Sequence, residues 1–161
     1  MRELAEAGHS SEDTLKGAPK CFLLNVKQVE HYWKQIEEGL DEDPELWNKS
    51  YDKSDILARV LSGLLQVWVV ETNEILHLVF MTQRYERVND TAVLQVFWMW
   101  GRDLKASVQT IDLALDRLAA FTNCSWIEVV GRKGFEHYGK PLGWTYDYSV
   151  FSRKVRKQRG N

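Results

Sequence analysis

Five groups of residues in this chain could do chemistry, and their spacing limits what that chemistry is. Glu128 alternates with Ile127 and Val129 in a short apolar run. Its carboxylate therefore projects from a sheet surface, where it is either a solvated strand residue or an acid–base group. Acid–base work requires hydrogen-bond reach to the reacting atom and a tuned pKa. Arg132 follows Gly131 at the end of that run. A guanidinium there can bind an anion, bridge carboxylates of another subunit, or form a structural salt bridge. Arg102, Asp103 and Lys105 stand at the head of a long amphipathic segment. There Asp103 fits the N-cap role. His9, His31, His77 and His137 are scattered, with no Cys/His cluster at metal-ligand spacing, so no metal is expected. Cys21 and Cys124 both adjoin apolar runs and read as buried, reduced thiols.

These residues must be positioned by a single domain, since 161 residues suit one. Apolar residues make up 44% and charged residues 27%, an ordinary globular composition. No apolar run approaches the roughly 20 residues that span a bilayer, and no signal segment follows Met1. A soluble, cytoplasmic protein without membrane partners is expected. The formal charge of −2 gives no electrostatic case for nucleic acid. Charge is nevertheless uneven. Glu37 to Glu45 is acidic, and Arg153 to Arg159 forms a basic tail. Seven Trp residues fill a core and, in part, line a groove or an interface.

Along the chain, residues 1–19 read as a polar, mobile arm and 156–161 as the basic tail, with the domain at 20–155. Cys21 to Leu24 reads as an edge strand. Val26 to Leu40 has helical spacing, with Asn25 as cap. A second helix is expected from Ser54 to Leu65, capped by Ser54 and burying Ile56, Leu57, Val60, Leu61 and Leu64. Leu65 to Glu71 and Ile75 to Tyr85 form a hairpin about Thr72-Asn73-Glu74. Thr91 to Trp100 is the most apolar strand and should be central. Leu104 to Thr122 is the longest helix, ended by Asn123. Trp126 to Val130, a short helix at Phe135 to Tyr138, and a strand from Trp144 to Val155 complete the order. The class is α/β (α+β): a mixed sheet, antiparallel at first, then a parallel crossover, with helices on both faces.

Three stretches resemble one family. They are Leu65 to Tyr85, Trp98-Met99-Trp100-Gly101-Arg102-Asp103-Leu104, and Trp126 to Phe135 followed by Pro141-Leu142-Gly143-Trp144. Over about residues 21–155 the chain resembles the GNAT (Gcn5-related N-acetyltransferase) superfamily. More closely, it is similar to small GNAT-like proteins of tailed bacteriophages and prophages. The resemblance implies an acyl-CoA-dependent N-acyltransferase, with acetyl-CoA or another acyl-CoA held at Met99, Trp100, Gly101, Arg102, Asp103, Leu104, Lys105 and Arg132. In that family the diphosphate sits on the backbone N–H groups of the helix N-terminus.

The family's glycine-rich signature at that loop is absent here. Gly101 is the one glycine, and Asp103 stands where the anion would arrive, with Arg102 and Lys105 to offset it. The resemblance also implies Tyr138 as acid for the departing thiolate and Glu71 as a carboxylate near the meander, with Glu74 and Glu128 as further candidates. Tyr138 lies five residues before Gly143, whereas four is the family spacing, so helical phase turns it by about 100°. The alternative is a non-enzymatic phage virion or assembly protein on the same scaffold. It would contact itself or other phage proteins through exposed Trp and the N-terminal arm, in the host cytoplasm or the virion.

Overall fold

The computed structural model describes residues 17–42, 51–130 and 135–145. Arg132, Trp47, the strand expected up to Val155, the basic tail and residues 1–16 of the arm lie outside them. Five strands and four helices are described: β1 Lys20–Leu23, α1 Val26–Glu42, α2 Lys53–Leu61, β2 Gln66–Thr72, β3 Ile75–Glu86, β4 Ala92–Gly101, α3 Leu104–Phe121, β5 Trp126–Val129 and α4 Phe135–Gly139. A 3₁₀ turn, Lys140–Leu142, follows α4. The strands lie in the order β1-β2-β3-β4-β5. Pairing is antiparallel through β4 and parallel between β4 and β5. This is the mixed sheet expected from the alternation of patterns.

Alternate side chains of the strands enter two cores. On one face, α1 and α2 cover Val67, Val69, Val79, Met81, Phe97 and Trp98 with Val29, Ile36, Leu40, Ile56 and Val60. On the other, α3 covers Val70, Leu78, Phe80, Leu94 and Val96 with Ile111, Leu115 and Ala119. The spacing of α1's apolar residues explains its buried Val29, Ile36 and Leu40, whereas Val26 is exposed. Trp98 is fully buried and Trp126 is half exposed, so the tryptophans divide between core and surface.

Local chemistry sets the element ends. Asn25 caps α1 reciprocally with Gln28: Asn25 N–H donates to Gln28 Oε1 and Gln28 N–H to Asn25 Oδ1. The cap of α2 is Asp52, not Ser54, because Asp52 and Asp55 form a capping box while the Ser54 hydroxyl only supports it. The helix also stops earlier than expected. Gly63 takes φ +78, Leu61 and Leu64 are exposed, and Leu65 turns into the core. Asn73 and Glu74 both have positive φ, as a two-residue hairpin turn of the I′ kind requires. At the end of α3, Asn123 has φ +53, Cys124 N–H donates to Ala119 O, and Asn123 N–H donates to Ala120 O. That is a Schellman ending with Asn in the left-handed place.

Two close approaches pin the C-terminal end of β4. Gly39 of α1 is buried beneath the Trp100 ring, where a Cβ would come within 2.5 Å of Trp100 Cδ2. Gly101 has φ +137, and a Cβ there would lie 2.2 Å from the His77 carbonyl oxygen. Neither the backbone angle nor the space admits a side chain at 101. Gly101→Ala is therefore expected to destabilise the fold by about 3 kcal/mol. Urea denaturation of the two proteins measures it, and equal midpoints would refute it.

Candidate functional site

The junction of β4 and α3 is built by backbone. Arg102 N–H donates to His77 O at 2.7 Å, continuing the β3–β4 ladder past Gly101. Asp103 then takes φ 58, ψ 37 and occupies the N-cap position. Its carboxylate makes no cap hydrogen bond, contrary to the expected role. A side-chain cap normally requires extended φ/ψ at that residue, and the left-handed backbone departs from it. Asp103 Oδ2 lies instead 3.6 Å from His77 Nδ1, within ion-pair range but beyond hydrogen bonding. The Asp103 carbonyl accepts from Ala106 and Ser107. Among the described residues, the N–H groups of Leu104 and Lys105 have no acceptor. The α3 N-terminus thus offers two donors and the positive end of its dipole, with Arg102 and Lys105 exposed beside it. Beneath it, the side chain of His77 is 14% exposed and its Nε2 is buried without a partner.

Among the described residues, β4 has a free edge beside this junction. Its pairing with β5 runs from Val93↔Trp126 to Val96↔Val129, and ends where Val130 N–H donates to Val96 O at 2.9 Å. Among the described residues, no strand pairs with Phe97 to Gly101 on that side. The β3 register jumps from Met81↔Trp98 to Thr82↔Val96, so Phe97 is a bulge. The bulge shifts which peptides face which neighbour. Arg102 bonds to β3, and alternation turns the Met99 N–H and C=O toward the free edge.

Between this edge, α3 and α4 lies a narrow cleft lined by Met99, Leu104, Val108, Ile111, Leu115, Phe135 and Trp144. Asp112 is the one polar lining residue, and its Oδ1 accepts from Trp144 Nε1 at 2.8 Å. Phe135 meets Trp144 edge-on with ring centroids 5.5 Å apart.

The structure gathers Met99, Gly101, Arg102, Asp103, Leu104 and Lys105 around this corner. Trp100 points away, to the α1 face, where its Nε1 donates to Glu42 Oε2 at 2.7 Å. Tyr138 is half-buried on α4, with its ring 5.3 Å from His137. Glu71 pairs with Leu76 in β3, two strands from β4. The Tyr32 hydroxyl on α1 has a raised pKa from burial and then from the charges of Glu71 and Glu74. Glu71 and Tyr138 therefore lie on opposite faces of the sheet.

Glu128 is not a solvated strand residue. Its side chain is 16% exposed, Tyr85 Oη donates to its Oε2 at 2.5 Å, and Arg87 pairs with its Oε1. Arg87 also lies 5.7 Å over the Trp126 ring. Burial raises the Glu128 pKa, but the Tyr85 and Arg87 hydrogen bonds and the Arg87 charge outweigh it, and the net shift is downward. An anion held this way is a poor general base. The cluster was hidden in the sequence because its members come from β3, β5 and the β3–β4 turn. Phe135, Trp144, Asp112 and Val108 were also unread as cleft residues. Their apolar spacing indicated a helix face and a strand start, not a shared cavity. Burial pushes the Cys21 thiol up to about 11, in keeping with an inert thiol. Among the described residues no helix is long and apolar enough to cross a membrane.

No protein-family profile matches the chain, and no curated protein sequence does. Solved structures do match. AAC(6')-Iy, in complex with the bisubstrate analog CoA-S-monomethyl-acetylneamine, matches at 14% identity and TM-score 0.63 over 87% of this chain and 100% of that one. A ribosomal-protein-alanine N-acetyltransferase from Brucella melitensis biovar Abortus 2308 matches at 13% and 0.60, covering 86% and 100%. A predicted acetyltransferase with acetyl-CoA from Clostridium acetobutylicum matches at 13% and 0.59, covering 88% and 99%. The fold is that of the GNAT acetyltransferases.

The Glu128 cluster makes a prediction with a definite sign. A folded pKa below the unfolded value contributes stability above the unfolded pKa, about 4.3, that is lost as pH falls through the folded one. Glu128→Gln is expected to lower the melting temperature at pH 7, with the gap to wild type closing below about pH 4. A gap of constant size across that range would refute it.

Proposed function

We propose that the cleft binds acyl-CoA and that the chain transfers the acyl group to an amine. One observation carries this reading: the free edge of β4, the uncapped N-terminus of α3 and an apolar cleft adjoin one another. A long ligand with an anionic end, a narrow amide-bearing arm and an acyl tip has use for all three. Proteins of this fold were solved with acetyl-CoA and with a CoA bisubstrate analog, which supports the choice of ligand. The donors at the head of α3 and the edge of β4 suit such a group, whereas the cleft itself has space for only about 10 Å³, so its side chains must part to admit the arm. When bound, it supplies an activated thioester.

In this reading each residue has a defined task. The N–H groups of Leu104 and Lys105, with the side chains of Arg102 and Lys105, hold the diphosphate. Met99 presents backbone donor and acceptor groups to the arm. Met99, Leu104, Val108, Phe135 and Trp144 keep water from it. Tyr138 donates its phenolic proton to the departing thiolate, and the incoming amine gives its proton to water, since Glu71 lies on β2, two strands from β4 and out of hydrogen-bond reach.

A second reading, a non-enzymatic bacteriophage virion or assembly protein acting through protein contacts, is favoured by Asp103. Its carboxylate is 62% exposed at the mouth of the anion site and repels a diphosphate.

Thermal shift separates the two. Acetyl-CoA at 100 times its Kd is expected to add about 2.7 kcal/mol of apparent stability. Tyr138→Phe is expected to retain that shift while lowering kcat about 100-fold. No shift at millimolar acetyl-CoA would remove the enzyme reading, and an unchanged kcat would remove Tyr138 as the acid.

A further inference from the structure

We propose that Asp112 is a positioning residue: through Trp144 it sets both the wall of the cleft and the place of α4, and so of Tyr138. The proposal rests on the acyl-CoA reading of the cleft. It begins with α4 itself, a helix of five residues from Phe135 to Gly139. So short a helix has no stability of its own, and tertiary contacts must decide where it sits.

Those contacts converge on Trp144. Phe135 packs edge-on against its ring. Gly139 is buried at the same place, where a Cβ would stand 3.0 Å from both Phe135 Cε1 and Trp144 Cβ. Trp144 N–H donates back to Gly139 O at 3.2 Å, so Trp144 travels with the helix. The Lys140–Glu136 ion pair of this segment is exposed, at 4.0 Å, and local to it. The Trp144 Nε1–Asp112 Oδ1 bond, by contrast, joins the segment to α3 across 32 residues.

The chemistry of the two partners makes the bond decisive. Indole N–H is a donor only, and it usually finds an acceptor when buried. The remaining lining residues of the cleft are Met99, Leu104, Val108, Ile111, Leu115 and Phe135, none of which has a side-chain oxygen. Removing the Asp112 acceptor strands the N–H against apolar walls. The ring then turns toward water and takes α4 with it. Asn at 112 keeps an acceptor oxygen, and Phe at 144 keeps the ring without the donor.

The test uses the full chain in five forms: wild type, Asp112→Leu, Asp112→Asn, Trp144→Phe and the pair Asp112→Leu with Trp144→Phe. Asp112→Leu is expected to speed hydrogen–deuterium exchange in residues 135–142 and to weaken acetyl-CoA binding roughly tenfold. The kcat should fall further than KM rises, because Tyr138 is displaced. Asp112→Asn should restore both exchange and kcat. In the Trp144→Phe background, Asp112→Leu should add little. Unchanged exchange at 135–142, failure of Asn to rescue, or additive losses in the pair would each overturn the proposal. So would undiminished acetyl-CoA binding by Asp112→Leu. If exchange responds as expected but wild type binds no acetyl-CoA, the tether stands and the acyl-CoA reading of the cleft falls.

Discussion

Everything distinctive in this fold follows from a mismatch along β4. The strand is ten residues long and pairs with β3 over its full length, yet its parallel partner β5 has only four residues. Among the described residues, the far half of β4 is therefore held on one side only. Unpaired backbone groups in a protein interior are costly, so such an edge persists only if it faces solvent, a ligand or another segment. The Phe97 bulge intensifies the effect. One extra residue reverses which peptides face β3, and it delivers the Met99 N–H and C=O to the open side instead of the Trp98 groups.

An edge freed in this way would fray unless its end were clamped, and the clamps are steric. On the α1 face Trp100 lies over Gly39 and bonds Glu42, which ties the end of β4 to the last turn of α1. In the plane of the sheet, Gly101 lets the chain pass close to the His77 carbonyl, and Arg102 N–H bonds that same oxygen. On the other face, Met99 and Leu104 join the core beneath α3. Among the described residues, β4 is thus fixed on three sides and open on the fourth. Gly101, expected as part of an anion loop, has a more basic duty: it lets the strand end where it does.

Much of this was legible in the residues. The spacing of Val29, Ile36 and Leu40, the Asn25–Gln28 pair, the Asn73-Glu74 turn and the Asn123 ending are local signals. Local chemistry alone determines them. What escaped the reading is non-local. Phe97 has no local mark of a bulge, because a bulge is a property of two strands and not of one. The same slip of phase turns Trp100 to the α1 face, away from the cofactor site that the resemblance implied for it. Glu128 looked solvated because its partners Tyr85 and Arg87 are more than forty residues away. At α2, both Asp52 and Ser54 are good capping types. The choice fell to Asp52 because Asp55 stands three residues on and can return the bond.

The expected pocket residues divide instructively. Gly101 to Lys105 came together because they are consecutive, and any structure would keep them close. Tyr138 and Glu71 came to opposite faces because they hang from different layers. Asp103 is the residue where local and distant demands conflict. As a helix cap it should bond the first amides of α3; in the left-handed conformation it bonds none and leans toward His77. A residue type that suits both N-caps and left-handed backbone permits the second arrangement at modest cost. The outcome is a helix start with its donors exposed and its own acid nearby. A capped α3 would be more stable and would have nothing to offer an anion. The uncapped one gives up that stability and keeps two N–H groups beside the free edge of β4. That is the sense in which the corner resembles a site more than a structural joint.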